Sequence, residues 1–203
     1  LAIPTPTALP TPTPTPAGGV PKRGGQLREY VGSPSTWDGI QISGPSGQLF
    51  SKLYLTLLWE PSEGKLECDL CKTWGLENGG KTIVLNLRGD ATFHDGATIK
   101  AKDIKWSLER LMGRIDKVVN QRTGFIKDYV DTVDAPDDLT VKINLKRPAP
   151  IVTQALSVST TAIVPYGATR EDMAKPPMGP NVKYTSGPFY VKEAVVDSHA
   201  LLE

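Results

Sequence analysis

Two short constellations in this chain of 203 residues carry side chains that can do chemistry. His94 is followed by Asp95, and an imidazole beside a carboxylate is the raw material of general-base catalysis. Cys68 and Cys71, the two cysteines of the chain, are spaced C-x-x-C. That spacing serves a redox pair, half of a zinc site, a local disulfide in a secreted protein, or two small buried side chains. Zinc wants four ligands. The sequence has no second pair of thiols, and its two histidines, His94 and His199, are far apart. A local disulfide or plain burial is therefore the stronger reading, and no metal or cofactor is expected. His94 and Asp95 are neighbours in a segment that reads as extended, where consecutive side chains point to opposite faces. They do not naturally meet on one substrate. No G-x-S-x-G, H-E-x-x-H or P-loop pattern occurs. The chain is not expected to be an enzyme.

The elements around these residues follow from periodicity. Thr82 to Arg88 alternates cleanly, with Ile83, Leu85 and Leu87 on one face. Ala101 to Met112 has Ile104, Leu108 and Leu111 at helical spacing, Asp103 in its first turn and Gly113 at its end. Thr140 to Lys146 is the clearest strand, with Val141, Ile143 and Leu145 inward. Pro150 opens a short helix over about 150–157. Ser46 is placed to cap a helix running to about Trp59. Gln26 to Val31, Ala162 to Val164 and Phe189 to Val196 are strand candidates. Strands and helices mix without a regular βαβ rhythm, so the fold class is α+β with a mixed sheet.

Composition narrows the function classes. There are 23 basic against 22 acidic residues, net charge +1, so neither nucleic acid nor an anionic membrane surface is an expected partner. No stretch approaches the roughly 20 apolar residues of a membrane span. Residues 1–23 stand apart: Pro4 to Pro16 reads PTPTALPTPTPTP. Proline fixes φ and lacks the amide donor, so this tract suits an extended spacer or stalk rather than helix or sheet.

The stretch from Gly80 to Leu111 resembles the motif of the family 5 bacterial extracellular solute-binding proteins, the oligopeptide- and dipeptide-binding group. That motif runs LR-x-x-x-x-FHDG-x-x-x-x-A-x-D-[VI]-x-x-S-x-x-R. The chain supplies Leu87, Arg88, Phe93, His94, Asp95, Gly96, Ala101, Asp103, Ile104, Ser107 and Arg110 in register. Gly24 to Leu27, Leu53 to Leu58, Asp137 to Val141 and Thr185 to Phe189 resemble further family segments in the right order. There are departures: Lys100 stands where a capping Thr is usual, Asp38-Gly39 where Asp-Pro is usual, and Cys68 and Cys71 replace Pro and Ala. The missing cap should cost about 1 kcal/mol.

The resemblance implies a type II periplasmic binding protein-like fold, with two lobes closing on a solute. It divides the chain into a linker (1–23), a first-lobe strand and loop (24–45), an inserted α+β subdomain (46–178) and a return to the first lobe (179–203). It implies a receptor that hands peptides or related solutes to an ABC permease in the membrane. Such a receptor would be a monomer in the periplasm or at the cell surface, tethered through its linker as in a lipoprotein. Trp37, Ile42, Ser43 and Gly44 are the expected ligand contacts, and His94-Asp95-Gly96 a structural corner. Family members are longer, so the chain is read as a fragment lacking the second lobe. A surface-displayed sensory or adhesion module on the same fold is the alternative.

Overall fold

Apolar residues at every second position put the strands of this protein on one side of a buried layer, and a helix with a matching stripe covers them. The computed structural model describes residues 27–30, 36–41, 47–195 and 198–203. The chain divides into two units, 1–30 and 31–203. In the first, residues 27–30 form no strand, and Leu27 and Tyr30 are exposed. The proline-rich tract and the ends of the expected Gln26 to Val31 strand lie outside the described residues.

The second unit runs α1 (Gly47–Leu53), β1 (Leu58–Ser62), β2 (Lys65–Cys68), β3 (Cys71–Glu77), β4 (Thr82–Leu87), α2 (Ala101–Leu111), β5 (Val130–Asp134), β6 (Thr140–Leu145), α3 (Pro150–Ala155), β7 (Val191–Val195) and β8 (His199–Leu202). Four strands form one sheet in the order β3-β4-β6-β5, while β1-β2 and β7-β8 are two-stranded ribbons. Register pairs Ile83 with Ile143 and Leu85 with Val141, so the inward faces coincide. Val133 joins opposite Ile143 and Val130 opposite Leu145. Ile104, Leu108 and Leu111 of α2 are buried with these residues, and α2 packs on β5 and β6. Each such side chain contributes about 1.5–3 kcal/mol on burial. The α+β class holds. Every ladder among the described residues is antiparallel, so the parallel pairings of a mixed sheet are not among them.

Four expectations change. The helix expected to reach Trp59 ends at Leu53, because its last carbonyls are taken from outside: Lys52 accepts from the Phe189 amide, and Leu53 from those of Ser186 and Gly187. Leu58 then opens a strand. Ser46 lies outside the described residues. Ala162 to Val164 is buried but joins no ladder; the Ile163 amide donates to Leu55 and that of Val164 to the Ser107 hydroxyl. The strand expected over Phe189 to Val196 begins at Val191, and Val196 lies outside the described residues. The uncapped start of α2 is in fact satisfied. The Lys100 amide donates to the Asp103 carboxylate at 2.7 Å, and the Ala101 amide to the Asp138 carbonyl at 2.8 Å.

The buried face of α2 also carries three polar residues, Asp103, Ser107 and Arg110. Asp103 accepts a second amide, that of Tyr166, at 2.7 Å. Ser107 donates to the Asp103 carbonyl at 2.8 Å and accepts from Val164 at 2.9 Å. Asp103 and Ser107 thus find partners on the chain crossing the helix, which offsets their desolvation.

Candidate functional site

Phe93 to Gly96 turns a tight corner. Gly96 has φ +87°, a region that favours glycine, and its amide donates to Phe93. The Asp95 carboxylate accepts the Ala97 amide at 3.0 Å and faces solvent. His94 turns the other way. Its amide donates to the Thr185 carbonyl at 2.9 Å. Its Nε2 lies 2.8 Å from the Gly187 carbonyl and its Nδ1 2.7 Å from Thr185 Oγ1. A carbonyl only accepts, so Nε2 carries the hydrogen. Tyr190 packs edge-on to the ring at 6.0 Å. Both ring nitrogens are engaged by the fold, and Asp95 is not one of their partners. The corner ties together two segments 93 residues apart.

The turn it holds, Thr185 to Phe189, also terminates α1. Besides the bonds to Lys52 and Leu53, the Ser186 hydroxyl accepts the Leu55 amide at 3.2 Å. Only glycine fits at 187: a Cβ there would lie 2.3 Å from the Lys52 oxygen and 2.7 Å from the Tyr54 nitrogen. Beside this junction opens a cleft of about 410 Å³, bordered by Ser51, Tyr54, Trp59, Asp69, Ser159 and Pro188. Asp69 is held at its edge by the Thr56 amide, which donates to its carboxylate at 3.0 Å. Cys68 and Cys71 bracket Asp69 and are joined as a disulfide, their Cα atoms 5.0 Å apart. The local-disulfide alternative is therefore the one realised. No group of three or more His, Cys, Asp or Glu among the described residues is arranged to hold a metal. No helix among them is long and apolar enough to cross a membrane.

Of the expected ligand contacts, Ile42, Ser43 and Gly44 lie outside the described residues. Trp37 is half-buried, its ring 6.2 Å from that of Phe50, and its carbonyl accepts the Tyr54 hydroxyl at 2.7 Å. Burial pushes the Tyr54 phenol far up, so it stays a donor. The next residue, Asp38, is buried against Arg110 of α2, with Oδ2 2.7 Å from Nη2. Burial pushes the Asp38 carboxyl up, against the pull of that guanidinium. Arg110 also reaches Asp116 at 3.1 Å. Sequence reasoning misses this pair. Asp38 and Arg110 are both visible as family positions, but nothing in the order of residues joins two groups 72 apart.

Residues 65–203 match the family described as bacterial extracellular solute-binding proteins, family 5 middle. The chain belongs to this family. It is 31% identical over 129 residues to the probable D,D-dipeptide-binding periplasmic protein of Escherichia coli K12, covering 63% of this chain and 24% of that one. The chain thus spans about a quarter of that relative's length. A periplasmic oligopeptide-binding protein of Borrelia burgdorferi superposes with TM-score 0.68 at 25% identity, over 84% of this chain and 37% of that one. The substrate-binding domain of an oligopeptide ABC transporter of Bacillus anthracis has TM-score 0.74 at 18% identity, over 87% and 36%, a likeness of fold alone.

In this family 5 chain the motif letters acquire physical roles. Phe93 is core, His94 is a clasp, and Gly96 supplies the turn. Asp103, Ser107 and Arg110 form one buried row along α2: the first two fasten the segment through Val164 and Tyr166, and Arg110 fastens Asp38. The relatives named above are binding proteins, and the histidine that suggested acid–base chemistry serves the scaffold.

Proposed function

We propose that this chain is part of an extracytoplasmic receptor that binds peptides or related solutes and delivers them to an ABC permease, without catalysis. The observation that carries the reading is family membership over residues 65–203, together with the use of His94 as a structural clasp. In this reading 46–178 is the inserted subdomain, and 24–45 with 179–203 belong to the solute-gripping lobe. Trp37, Ile42, Ser43 and Gly44 then face the solute. Peptide-binding receptors hold much of their ligand through backbone hydrogen bonds, which makes selection among side chains broad. The receptor works as a monomer outside the cytoplasm, a setting that suits the Cys68–Cys71 disulfide. Its tether is the proline-rich N-terminal tract.

Titration calorimetry of the protein expressed from its whole reading frame tests this, with panels of di- to pentapeptides, oligosaccharides and nickel chelates. Saturable heat from the peptide panel is the expected result; silence across all panels would overturn the reading. Permease and ATPase genes beside its own would separate a receptor from a sensory or adhesion module.

A further inference from the structure

We propose that the buried Asp38–Arg110 pair is a positioning device that sets the turn carrying Trp37, rather than a stabiliser of the fold. The inference rests on the solute-binding reading only in giving Trp37 a ligand to face.

The geometry of the turn points this way. Asp38 sits at its first position and accepts three hydrogen bonds there. One carboxylate oxygen accepts the Ile40 amide at 3.0 Å, its carbonyl accepts the Gln41 amide at 2.9 Å, and the other carboxylate oxygen meets Arg110. Gly39 comes so close to the core that a Cβ would lie 2.7 Å from that of Ala162. The loop after α2 closes over the other side: the Asn120 side chain donates to the Ile40 carbonyl, and that of Gln41 to the Val118 carbonyl. Asn120 is itself fixed by its amide, which donates to Leu111 at the end of α2. Arg110 therefore indexes the turn and the loop to the same helix.

The pair is poorly built for stability. Both side chains are 1% exposed, so both ions lose their hydration. Among the described residues, Arg110 Nη1 is buried with no hydrogen-bond partner, while Nη2 and Nε serve Asp38 and Asp116. A buried ion pair with an unmet donor is no better for stability than well-packed apolar residues of similar size, and often worse. What such a pair supplies is direction, because the guanidinium donates only in its own plane: Nε and Nη2 both reach Asp116, and that fixes the line along which Nη2 meets Asp38.

The test compares the full chain with the double variant Asp38→Asn, Arg110→Met. Asparagine keeps the acceptor for Ile40, and methionine fills the space without a charge. Amide hydrogen exchange is read at Ile40, Gln41 and Asn120 against Ile83 and Leu85 of β4. The expected result is exchange about tenfold faster at the first three with the β4 amides unchanged. Unchanged exchange at Ile40 and Gln41, or a rise shared equally with β4, would overturn the proposal. A double variant that does not fold would make the pair a stabiliser and would also overturn the proposal; Arg110→Lys is read in the same way as a second test. It keeps one charge and loses the fork, so the turn amides should again loosen selectively. In the whole-frame protein, trialanine should bind the double variant about tenfold more weakly than the parent. A parent that fails to bind trialanine counts against peptide as the solute, while the exchange rates still decide the role of the pair.

Discussion

His94 and Gly187 are joined side chain to backbone, the imidazole Nε2 donating to the Gly187 carbonyl at 2.8 Å. With Thr185 on the other ring nitrogen, the bond makes a conspicuous histidine into the fastening between the Phe-His-Asp-Gly corner and the turn that ends α1. Substituting His94→Ala removes both side-chain bonds and leaves a carbonyl to find another partner. We expect a loss of about 1–3 kcal/mol in urea unfolding. A catalytic histidine free of structural duty would leave the unfolding midpoint unmoved.

Gly187→Ala should cost about 2–3 kcal/mol, because the atoms in the way are backbone at the end of α1 and cannot swing aside. Gly75→Ala is the control. It lies in the exposed edge strand β3 with nothing within 4 Å of the added methyl, so its effect should stay within about 0.5 kcal/mol. Equal effects of the two in thermal or urea unfolding would contradict the packing described for the junction.

Ser107→Ala leaves the buried Val164 amide without its acceptor at 2.9 Å. The expected penalty is about 1–3 kcal/mol, read as a lower urea midpoint at constant slope. Exchange at Val164 should rise more than at neighbouring Ile163, which donates to a backbone carbonyl instead.

The disulfide closes a loop with a sequence separation of only 3. Loop-closure entropy for so short a ring gives about 2 kcal/mol. Reduction should therefore lower stability by about that amount without unfolding the protein at 25 °C. Alkylation followed by mass spectrometry checks the redox state, and urea titration with and without reductant gives the difference. No change on reduction would mean that the Asp69 edge of the cleft is held by its hydrogen bonds alone.

Much of this architecture is legible in the order of residues, for identifiable reasons. Ile83, Leu85 and Leu87, like Val141, Ile143 and Leu145, alternate because one face of each strand is buried in the core, so burial writes its period into the sequence. β3 and β5 carry no such period because edge strands bury few side chains: Cys71–Glu77 is mostly exposed, and Val130–Asp134 alternates acids with valines only irregularly. The end of α1 is illegible because residues 186–189, far along the chain, decide it; the apolar Leu57 and Leu58 continue the helical stripe without belonging to it. At the candidate site, Trp37 is visible as an aromatic in a Gly- and Ser-rich stretch. The Asp38–Arg110 pair that fixes its turn is not, since pairing at that distance is a property of the fold.

The most direct measurement is a crystal structure of the whole-frame protein with a bound peptide. The account predicts that the peptide contacts the segment around Trp37 to Gly44, while the His94 ring keeps its bonds to Thr185 and Gly187. A peptide held instead by the His94 imidazole, with the clasp released, would contradict it.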